Sequence, residues 1–317
     1  MFRVGINNID MVDLSIVIVN WNTRDLLKNC LESVLRTVHG LTYEVIVVDN
    51  ASTDGSVAML QDLFPQVKII ANDENRGFGA ANNQAFKIME GRYALLLNTD
   101  AVLTENAVHD LFSFMENHPE AGISCGQLLN RDGSKQNSIA SFPTLLTMLT
   151  NISLLEYLFP GKYPSKRYDH RQPVAVDSGV GACLMVRKDA MDKVGWFDER
   201  YFFFFEETDW AYRMRLADWK VFHVPTARIY HFQGQSIGPD IRSRIEFYRS
   251  RYQFFKKWHS LPYYSLIRLV IFGRLLINCF FTALAVILSL GASQGIRDKL
   301  RVYSRLVCWH VNPASSE

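Results

Sequence analysis

Two groups of acidic residues in this 317-residue chain have the spacing of a ligand-binding or catalytic site. The first comprises Asp49 and Asp100, each of which follows a run of apolar residues. An Asp at the end of a buried strand can accept hydrogen bonds from a ligand N–H, which we expect of Asp49. The Asp100 carboxylate can bind a hard divalent cation when substrate phosphates supply the other oxygen ligands. A helix cap or turn is the competing interpretation of Asp100.

The second group ends the stretch YFFFFEETDW, residues 201–210. Apolar surroundings raise the pKa of a carboxyl and remove water from a base, which suits proton abstraction from a hydroxyl. At helical spacing, Glu206, Asp209 and Arg213 share one face and Glu207 lies on another. The alternative is a buried ion-pair network, for example between Asp209 and Arg213. The phenylalanine run is predicted to be a buried, strand-like segment.

Two further segments contain residues suited to bind phosphate. In NRGFGAANN (75–83), the glycines allow close approach of the backbone, and Arg76 can contact a phosphate or ribose. A tight turn is an equally good interpretation of that segment taken alone. In HFQGQS (231–236), His231 could complete a metal or phosphate site, although a single His after an apolar strand is more often structural.

Alternating strands and helices must position these residues. The spacing predicts strands at 14–19, 44–48, 67–70 and 93–97 and helices near 56–64, 79–90 and 104–117. This alternation predicts an α/β fold with a mostly parallel sheet flanked by helices. Ligands of such sheets bind outside the carboxyl ends of the strands, so the polar residues after each strand are expected to converge.

The composition excludes some classes of protein. The 34 basic and 32 acidic residues give a net charge of +2, so no global field favours nucleic acid. The five cysteines never occur in CxxC spacing, which indicates neither a disulfide framework nor a zinc site and favours a reducing compartment. The first residues contain no apolar segment typical of a secretory signal.

The chain is predicted to comprise a domain over residues 12–240 and a helical tail over residues 241–317. Residues 126–175 are expected to form a loop-rich insertion near the site. Within the tail, residues 275–290 are uncharged, but this span is shorter than the roughly 20 residues that cross a bilayer. Basic clusters precede and follow it, which favours attachment to an anionic membrane surface. A buried or dimerising helix and a true membrane span are the alternatives.

Seven segments in one order resemble the inverting family 2 glycosyltransferases, whose catalytic domain has the GT-A fold. They are SIVIVNWN, VVDNASTDGS, NRGFGAANN, LLLNTDA, GACLMVRKDAMDKVGWFDE, FFFFEETDWAYR and HFQGQS. The resemblance covers about residues 12–240. The NRGFGAANN and EETDW segments are most similar to bacterial rhamnosyltransferases that use dTDP-L-rhamnose.

The resemblance implies a nucleotide-sugar site with a Mg²⁺ or Mn²⁺ ion on the diphosphate. The residues implied to bind the nucleotide sugar are Val19, Trp21, Asp49, Arg76, Gly77, Asn83, Asn98 and Asp100. Asp100 takes the last position of the family's DxD motif, and Asn98 replaces its first Asp. One carboxylate is therefore left, and His231 is the implied additional metal ligand.

On the acceptor side, the resemblance implies that Glu207 is the catalytic base, with Glu206, Asp209, Arg213 and Gly181 in supporting positions. It further implies transfer of a sugar, with inversion, to a saccharide or polyprenyl-diphosphate-linked acceptor at the cytoplasmic face of the membrane. A UDP-hexose donor is one alternative, and a non-catalytic nucleotide-sugar-binding protein is another. A nucleotidyltransferase is disfavoured because NWNTRD, after the first strand, has no glycine.

Overall fold

The computed structural model describes residues 12–164, 170–232 and 241–312. Its described residues group into two compact units. The first unit contains residues 12–142 together with the described part of 159–232, and the second contains residues 143–158 and 241–312. Part of the region predicted to be a loop-rich insertion, residues 143–158, therefore groups with the C-terminal helices.

All eleven strands found in the described residues belong to the first unit. They are β1 (Leu14–Asn20), β2 (Tyr43–Asp49), β3 (Lys68–Ala71), β4 (Tyr93–Leu97), β5 (Ala101–Leu103), β6 (Ala121–Leu129), β7 (Ile139–Ala140), β8 (Val174–Val176), β9 (Ser178–Gly179), β10 (Cys183–Arg187) and β11 (Lys220–His231).

The helices are divided between the two units. The first unit contains α1 (Arg24–Thr37), α2 (Ser56–Leu63), α3 (Phe78–Phe86) and α4 (Ala107–Asn117). The next two, α5 (Leu145–Leu149) and α6 (Ile152–Leu158), belong to the second unit. The first unit continues with α7 (Lys188–Val194) and α8 (Glu206–Leu216), and the second with α9 (Ile241–Trp258), α10 (Leu261–Leu288) and α11 (Gln294–Val311).

The central sheet has the order β3-β2-β1-β4-β10-β6-β11-β5, with β8 paired to β11. The first four strands of this order are parallel, whereas β10 is antiparallel to both β4 and β6. The predicted α/β sheet flanked by helices is confirmed. Its parallel half is the half that the alternating pattern predicted, because β1, β2 and β3 are each followed by a crossover helix.

The sheet is buried on both faces. In β1, successive side chains enter different cores: Ile16 and Ile18 pack with α1 residues, while Val17 packs with α3 residues. This burial explains the continuous apolar runs, since a strand covered on both faces has no polar side. The polar residues at the strand ends are thereby the ones available for a ligand.

The second unit has its own apolar core. It is formed by Tyr252 and Phe255 of α9, a stripe of α10 and the end of α11. The α10 stripe consists of Ile267, Ile271 and Leu275, which recur at the four-residue spacing of one helix face. Among the described residues, α10 is the one helix with the length and composition to cross a membrane, and little of it is buried.

Candidate active site

The ends of β1 and β2 hold the first acidic residue in place. Asn20 and Asp49 are register partners, and Asn20 Nδ2 donates to Asp49 Oδ1 over 2.7 Å. The backbone N–H of Ser52 donates to the other oxygen over 2.8 Å. Asp49 is 2% exposed. Since a carboxylate has about four acceptor positions, these two bonds leave capacity for a ligand N–H.

A line of short side chains connects β1 to the loop after β4. The hydroxyl of Thr23 lies 2.7 Å from Asn20 Oδ1 and 2.9 Å from the hydroxyl of Thr99. Thr99 directly precedes Asp100, so Asp49 and Asp100 are joined by three polar residues. Sequence reasoning assigned no role in the ligand site to Asn20, Thr23 or Thr99, although all three lie in the polar segments after the strands.

Asp100 lies beside His231 because β5 pairs with β11. Ala101 and His231 are register partners, and the N–H of Phe232 donates to the carbonyl of Asp100 over 2.9 Å. His231 Nε2 lies 3.4 Å from Asp100 Oδ1, and both side chains are buried. The remainder of the HFQGQS segment, residues 233–236, lies outside the described residues.

Gln136 fixes the orientation of His231. Its Nε2 donates to the backbone carbonyl of His231 over 2.5 Å, which directs its Oε1 to within 3.0 Å of the imidazole Nδ1. An amide oxygen only accepts, so Nδ1 carries the hydrogen. With the hydrogen on Nδ1, Nε2 is the nitrogen that faces the Asp100 carboxylate and that could ligate a cation.

The Asp100–His231 pair fits one divalent ion. Adjacent ligands of an octahedral ion, each about 2.1 Å from it, lie about 3 Å apart, close to the observed 3.4 Å. The Gln136 contact is of the kind that orients metal-binding histidines. The described residues contain no group of three or more His, Cys, Asp or Glu able to hold a metal ion. Oxygen atoms of a bound diphosphate and water would have to complete such a site.

The aromatic stretch before α8 is a turn, so the prediction of a strand-like segment was wrong. Phe204 and Phe205 have φ values of 69° and 70°, and α8 begins at the next residue. Bulky residues rarely adopt this left-handed conformation, which costs roughly 1–3 kcal/mol per residue. Phe203 packs edge-to-face on Phe78 of α3. Ring packing thus holds a strained turn that fixes the start of α8.

Glu207 lies in the first turn of α8 with its side chain partly buried. Burial raises the pKa of the Glu207 carboxyl above that of an ordinary glutamate, and hydrogen bonds from its own and the Thr208 backbone only partly oppose this effect. A Cβ placed on Gly181 would lie 3.8 Å from Glu207 Cγ. The next carbonyl, that of Ala182, accepts from the N–H of Asn98 over 3.0 Å. Glu207 and the Asn98–Asp100 loop therefore flank the same short backbone segment.

Asp209 and Arg213 form the predicted ion pair. Arg213 Nε donates to Asp209 Oδ2 over 2.9 Å, and Asp209 is fully buried. The other guanidinium nitrogens donate to the carbonyls of Val194 and Trp196. The pair therefore fixes α8 to the turn after α7, which leaves Glu207 as the carboxylate with partial access. Glu206 is buried.

Gly77 joins the Arg76 segment to the aromatic turn. Its φ is +83°, and a Cβ there would lie 2.5 Å from the Phe202 carbonyl oxygen. The N–H of Phe78 donates to this same oxygen, and Asn50 Nδ2 donates to the Gly77 carbonyl over 3.2 Å. Asn50 directly follows Asp49. These contacts bring the segment that contains Arg76 to the end of β2.

The remaining predicted residues differ in accessibility. Trp21 is 48% exposed, Arg76 is exposed and Val19 is partly buried, so the first two can contact a large ligand. Asn83 is buried, and its amide bonds to the backbone of Phe197 and to the Glu199 carboxylate. The expectation that Asn83 contacts the nucleotide sugar does not fit this geometry, since its hydrogen-bonding groups are already used.

The strand-end carboxylates, the Asp100–His231 pair and the partly buried Glu207 form a candidate site on an α/β sheet. The sequence model of glycosyl transferase family 2 matches residues 15–195, more than half of the chain. The chain therefore belongs to glycosyl transferase family 2.

Individual relatives agree with this assignment. The chain is 28% identical over 231 residues to the N-acetylglucosaminyl-diphospho-decaprenol L-rhamnosyltransferase of Mycobacterium tuberculosis, covering 68% of this chain and 75% of that protein. It is 27% identical to the low-salt glycan biosynthesis hexosyltransferase Agl10 of Haloferax volcanii, over 64% of this chain and 62% of that protein.

The fold also matches a solved structure. The mannosyltransferase PcManGT from Pyrobaculum calidifontis, solved in complex with GDP-Man and Mn2+, superposes with a TM-score of 0.58. The match covers 96% of this chain and 88% of that one at 14% identity. The predicted GT-A type of fold is thereby confirmed. The family assignment makes the chain a glycosyltransferase.

Proposed function

We propose that this enzyme transfers L-rhamnose from dTDP-L-rhamnose, with inversion, to a hydroxyl of a saccharide carried on a polyprenyl diphosphate. The observation that carries the proposal is the continuous series of contacts from Asp49 through Asn20, Thr23 and Thr99 to Asp100 and, through Asn98 and Ala182, to the neighbourhood of Glu207. The similarity to a mycobacterial rhamnosyltransferase supports the donor and the lipid-linked acceptor.

In the proposed mechanism, Glu207 accepts the proton of the acceptor hydroxyl while the hydroxyl oxygen bonds to the anomeric carbon. The bond from that carbon to the diphosphate oxygen breaks, and the nucleoside diphosphate leaves with the electron pair. The raised pKa of Glu207 makes it a stronger base than an exposed glutamate. Attack opposite the leaving group inverts the anomeric carbon.

On the donor side, Asp49, Trp21, Val19, Arg76 and Gly77 surround the nucleotide in this proposal. Asp100 and His231 would hold Mg²⁺ or Mn²⁺, which when bound neutralises charge on the departing diphosphate. The Asp100–His231 separation and the hydrogen on Nδ1 support this assignment. Asn98 contributes no carboxylate, so the affinity for metal without nucleotide should be low.

The proposed location is the cytoplasmic face of a membrane, with the second unit as the attachment. This location is supported by the exposed apolar side chains of α10 and by the lipid-linked substrate in the name of the mycobacterial relative. The alternative is that α10 is buried or forms a dimer, and a measurement of binding to lipid vesicles distinguishes this alternative from membrane attachment.

A panel of donors tests the proposal. Purified protein with Mn²⁺ and a membrane lipid extract is incubated with dTDP-rhamnose or with UDP-linked hexoses, and products are identified by mass spectrometry. We expect a product heavier by one deoxyhexose with dTDP-rhamnose alone. Products from UDP-hexoses alone would contradict the rhamnose assignment, and nucleotide binding without product would favour a non-catalytic binding protein.

A further inference from the structure

The second unit contains an open cavity of about 450 Å³ between α10 and α11 that the transferase mechanism does not use. Three arginines of α11 and one serine line its polar side, and Val286 and Leu300 line its apolar side. The arginines, Arg297, Arg301 and Arg305, recur at four-residue spacing and so lie along one helix face. The cavity therefore combines clustered positive charge with an apolar wall.

This arrangement of like charges calls for an anion. Arginines four residues apart destabilise a helix by mutual repulsion unless a negative charge lies among them. Arg301 has a 3.4 Å contact with Asp298, and Arg297 donates to the Gly291 carbonyl and to Gln294. For Arg305, the described part of the chain shows no ion pair. Asp298 is the single acidic residue of α11, so the cluster has a large excess of positive charge.

The surroundings indicate that the anion belongs to a lipid. Residues 241–312 contain twelve Lys and Arg but two acidic residues, although the whole chain has a net charge of only +2. The large apolar side chains that α10 leaves exposed are Leu261, Leu266, Leu269, Leu276, Ile277, Phe280, Phe281, Leu284, Ile287 and Leu288. Most of them recur every three or four residues and form a stripe along the helix. An exposed apolar helix face in a unit rich in basic residues is the pattern of a segment that lies in an anionic membrane interface.

We propose that the cavity lined by Arg297, Arg301, Ser304 and Arg305 binds the phosphate group of an anionic membrane lipid while the exposed stripe of α10 contacts the apolar part of the same membrane. Guanidinium groups suit phosphate because they present paired donors in a fixed plane, and Val286 and Leu300 suit the adjoining glycerol and acyl carbons. This inference rests on the proposed membrane location and specifies the part of the lipid that is bound.

The test measures binding of the full chain to phosphatidylcholine vesicles with and without a minor fraction of phosphatidylglycerol. The variants are Arg301→Gln, Arg305→Gln and, as the matched control, Lys299→Gln. Lys299 lies on α11 two residues from both Arg297 and Arg301, so its side chain points away from the cavity. Lys299→Gln removes one positive charge, as each arginine substitution does. Thermal melting of each variant reports on folding.

We expect binding to require phosphatidylglycerol and to fall at least about thirtyfold for either arginine variant. Lys299→Gln should lose at most about fivefold, the change expected for one charge near an anionic surface. Equal losses in all three variants would mean general electrostatic attraction and would overturn the phosphate site. If the wild type binds neither kind of vesicle and forms dimers in solution, the phosphate site would be overturned in favour of a dimerising α10.

Inorganic phosphate distinguishes a lipid from a soluble ligand. Saturation of the arginine-dependent site by millimolar phosphate, without any vesicle, would assign it to a soluble anion and overturn the lipid proposal. If phosphate competes only weakly and vesicle binding is retained, the result supports the lipid proposal.

A separate control measures enzyme activity. Donor turnover with a water-soluble acceptor, measured on the same preparations, should be the same for all variants. If the wild type shows no donor turnover, that result would count against the transferase proposal and not against the lipid site.

Discussion

The imidazole Nε2 of His231 lies 3.4 Å from the Asp100 carboxylate, although 131 residues separate the two in sequence. The pairing of β5 with β11 creates this proximity, and Gln136 sets which nitrogen faces the carboxylate. This proximity is the structural basis for the proposal that a divalent cation binds between the two side chains.

Replacing either member of this pair should weaken metal binding. In the presence of nucleoside diphosphate, Asp100→Asn should abolish binding of Mn²⁺ to the protein because it removes the one carboxylate, whereas His231→Ala should lower the affinity but leave Asp100 and the diphosphate as ligands. Titration of Mn²⁺ followed by electron paramagnetic resonance checks this directly. Unchanged Mn²⁺ affinity in both variants would remove the pair from the metal site.

Gln136 should act as a positioning residue for His231. Gln136→Leu removes the acceptor for the Nδ1 hydrogen and should lower Mn²⁺ affinity about 10–100-fold, the usual effect of losing such a contact. Gln136→Glu retains an acceptor oxygen and should recover most of the affinity. The two variants, compared by the same Mn²⁺ titration, separate this effect from a general loss of structure. Equal affinities for wild type and Gln136→Leu would contradict it.

The raised pKa of Glu207 predicts a pH dependence. A base acts when it is ionised, so kcat/KM should fall as the pH drops through a value above the ordinary glutamate pKa of about 4.3. The pKa of Glu207 is higher in the folded than in the unfolded state. The free energy of unfolding of the wild type therefore falls as the pH rises from the unfolded-state pKa to the folded-state pKa. Glu207→Gln should therefore melt at a higher temperature than wild type near neutral pH and at the same temperature well below pH 4 or so. If kcat/KM instead falls at the ordinary glutamate pKa, that result would contradict a Glu207 pKa raised by burial.

Gly77 should tolerate no side chain. Gly77→Ala would force a Cβ to within 2.5 Å of the Phe202 carbonyl oxygen at a φ of +83°, and should lower the free energy of unfolding by more than the roughly 1–3 kcal/mol that backbone strain alone costs. Urea unfolding measures this loss. Gly133→Ala is a suitable comparison, since it has a similar φ of +80° but no atom near its Cβ. Similar losses in both variants would show that backbone strain alone, without the Phe202 contact, explains the effect.

The sequence predicted the parts of the site that depend on local order. Strand ends in a parallel sheet share one edge, so the strand pattern alone places Asp49 and Asp100 on the same side of the sheet. The Asp209–Arg213 pair was likewise predictable, because residues four apart on a helix are neighbours. In both cases the relevant spacing is visible within one element or one repeated unit.

The features that were missed depend on contacts distant in sequence. No local signal distinguishes Gln136 from other polar residues of a hairpin, and its partner His231 is 95 residues away. Asn83 appeared to belong to a ligand-binding segment, but a loop 114 residues later uses its amide. The phenylalanine run has strong strand propensity, but Phe204 and Phe205 adopt a left-handed turn, and the neighbouring ring of Phe203 packs on Phe78 of α3, far away in sequence.

The most direct test of the account compares Glu207→Gln with Glu206→Gln in transfer from dTDP-rhamnose to the lipid-linked acceptor, with nucleotide binding followed by calorimetry. Loss of the base in Glu207→Gln should lower kcat about 10²–10⁴-fold without changing nucleotide affinity. Glu206→Gln should retain most of the wild-type kcat. Full transfer activity in Glu207→Gln, or its loss in Glu206→Gln alone, would contradict the assignment of Glu207 as the catalytic base.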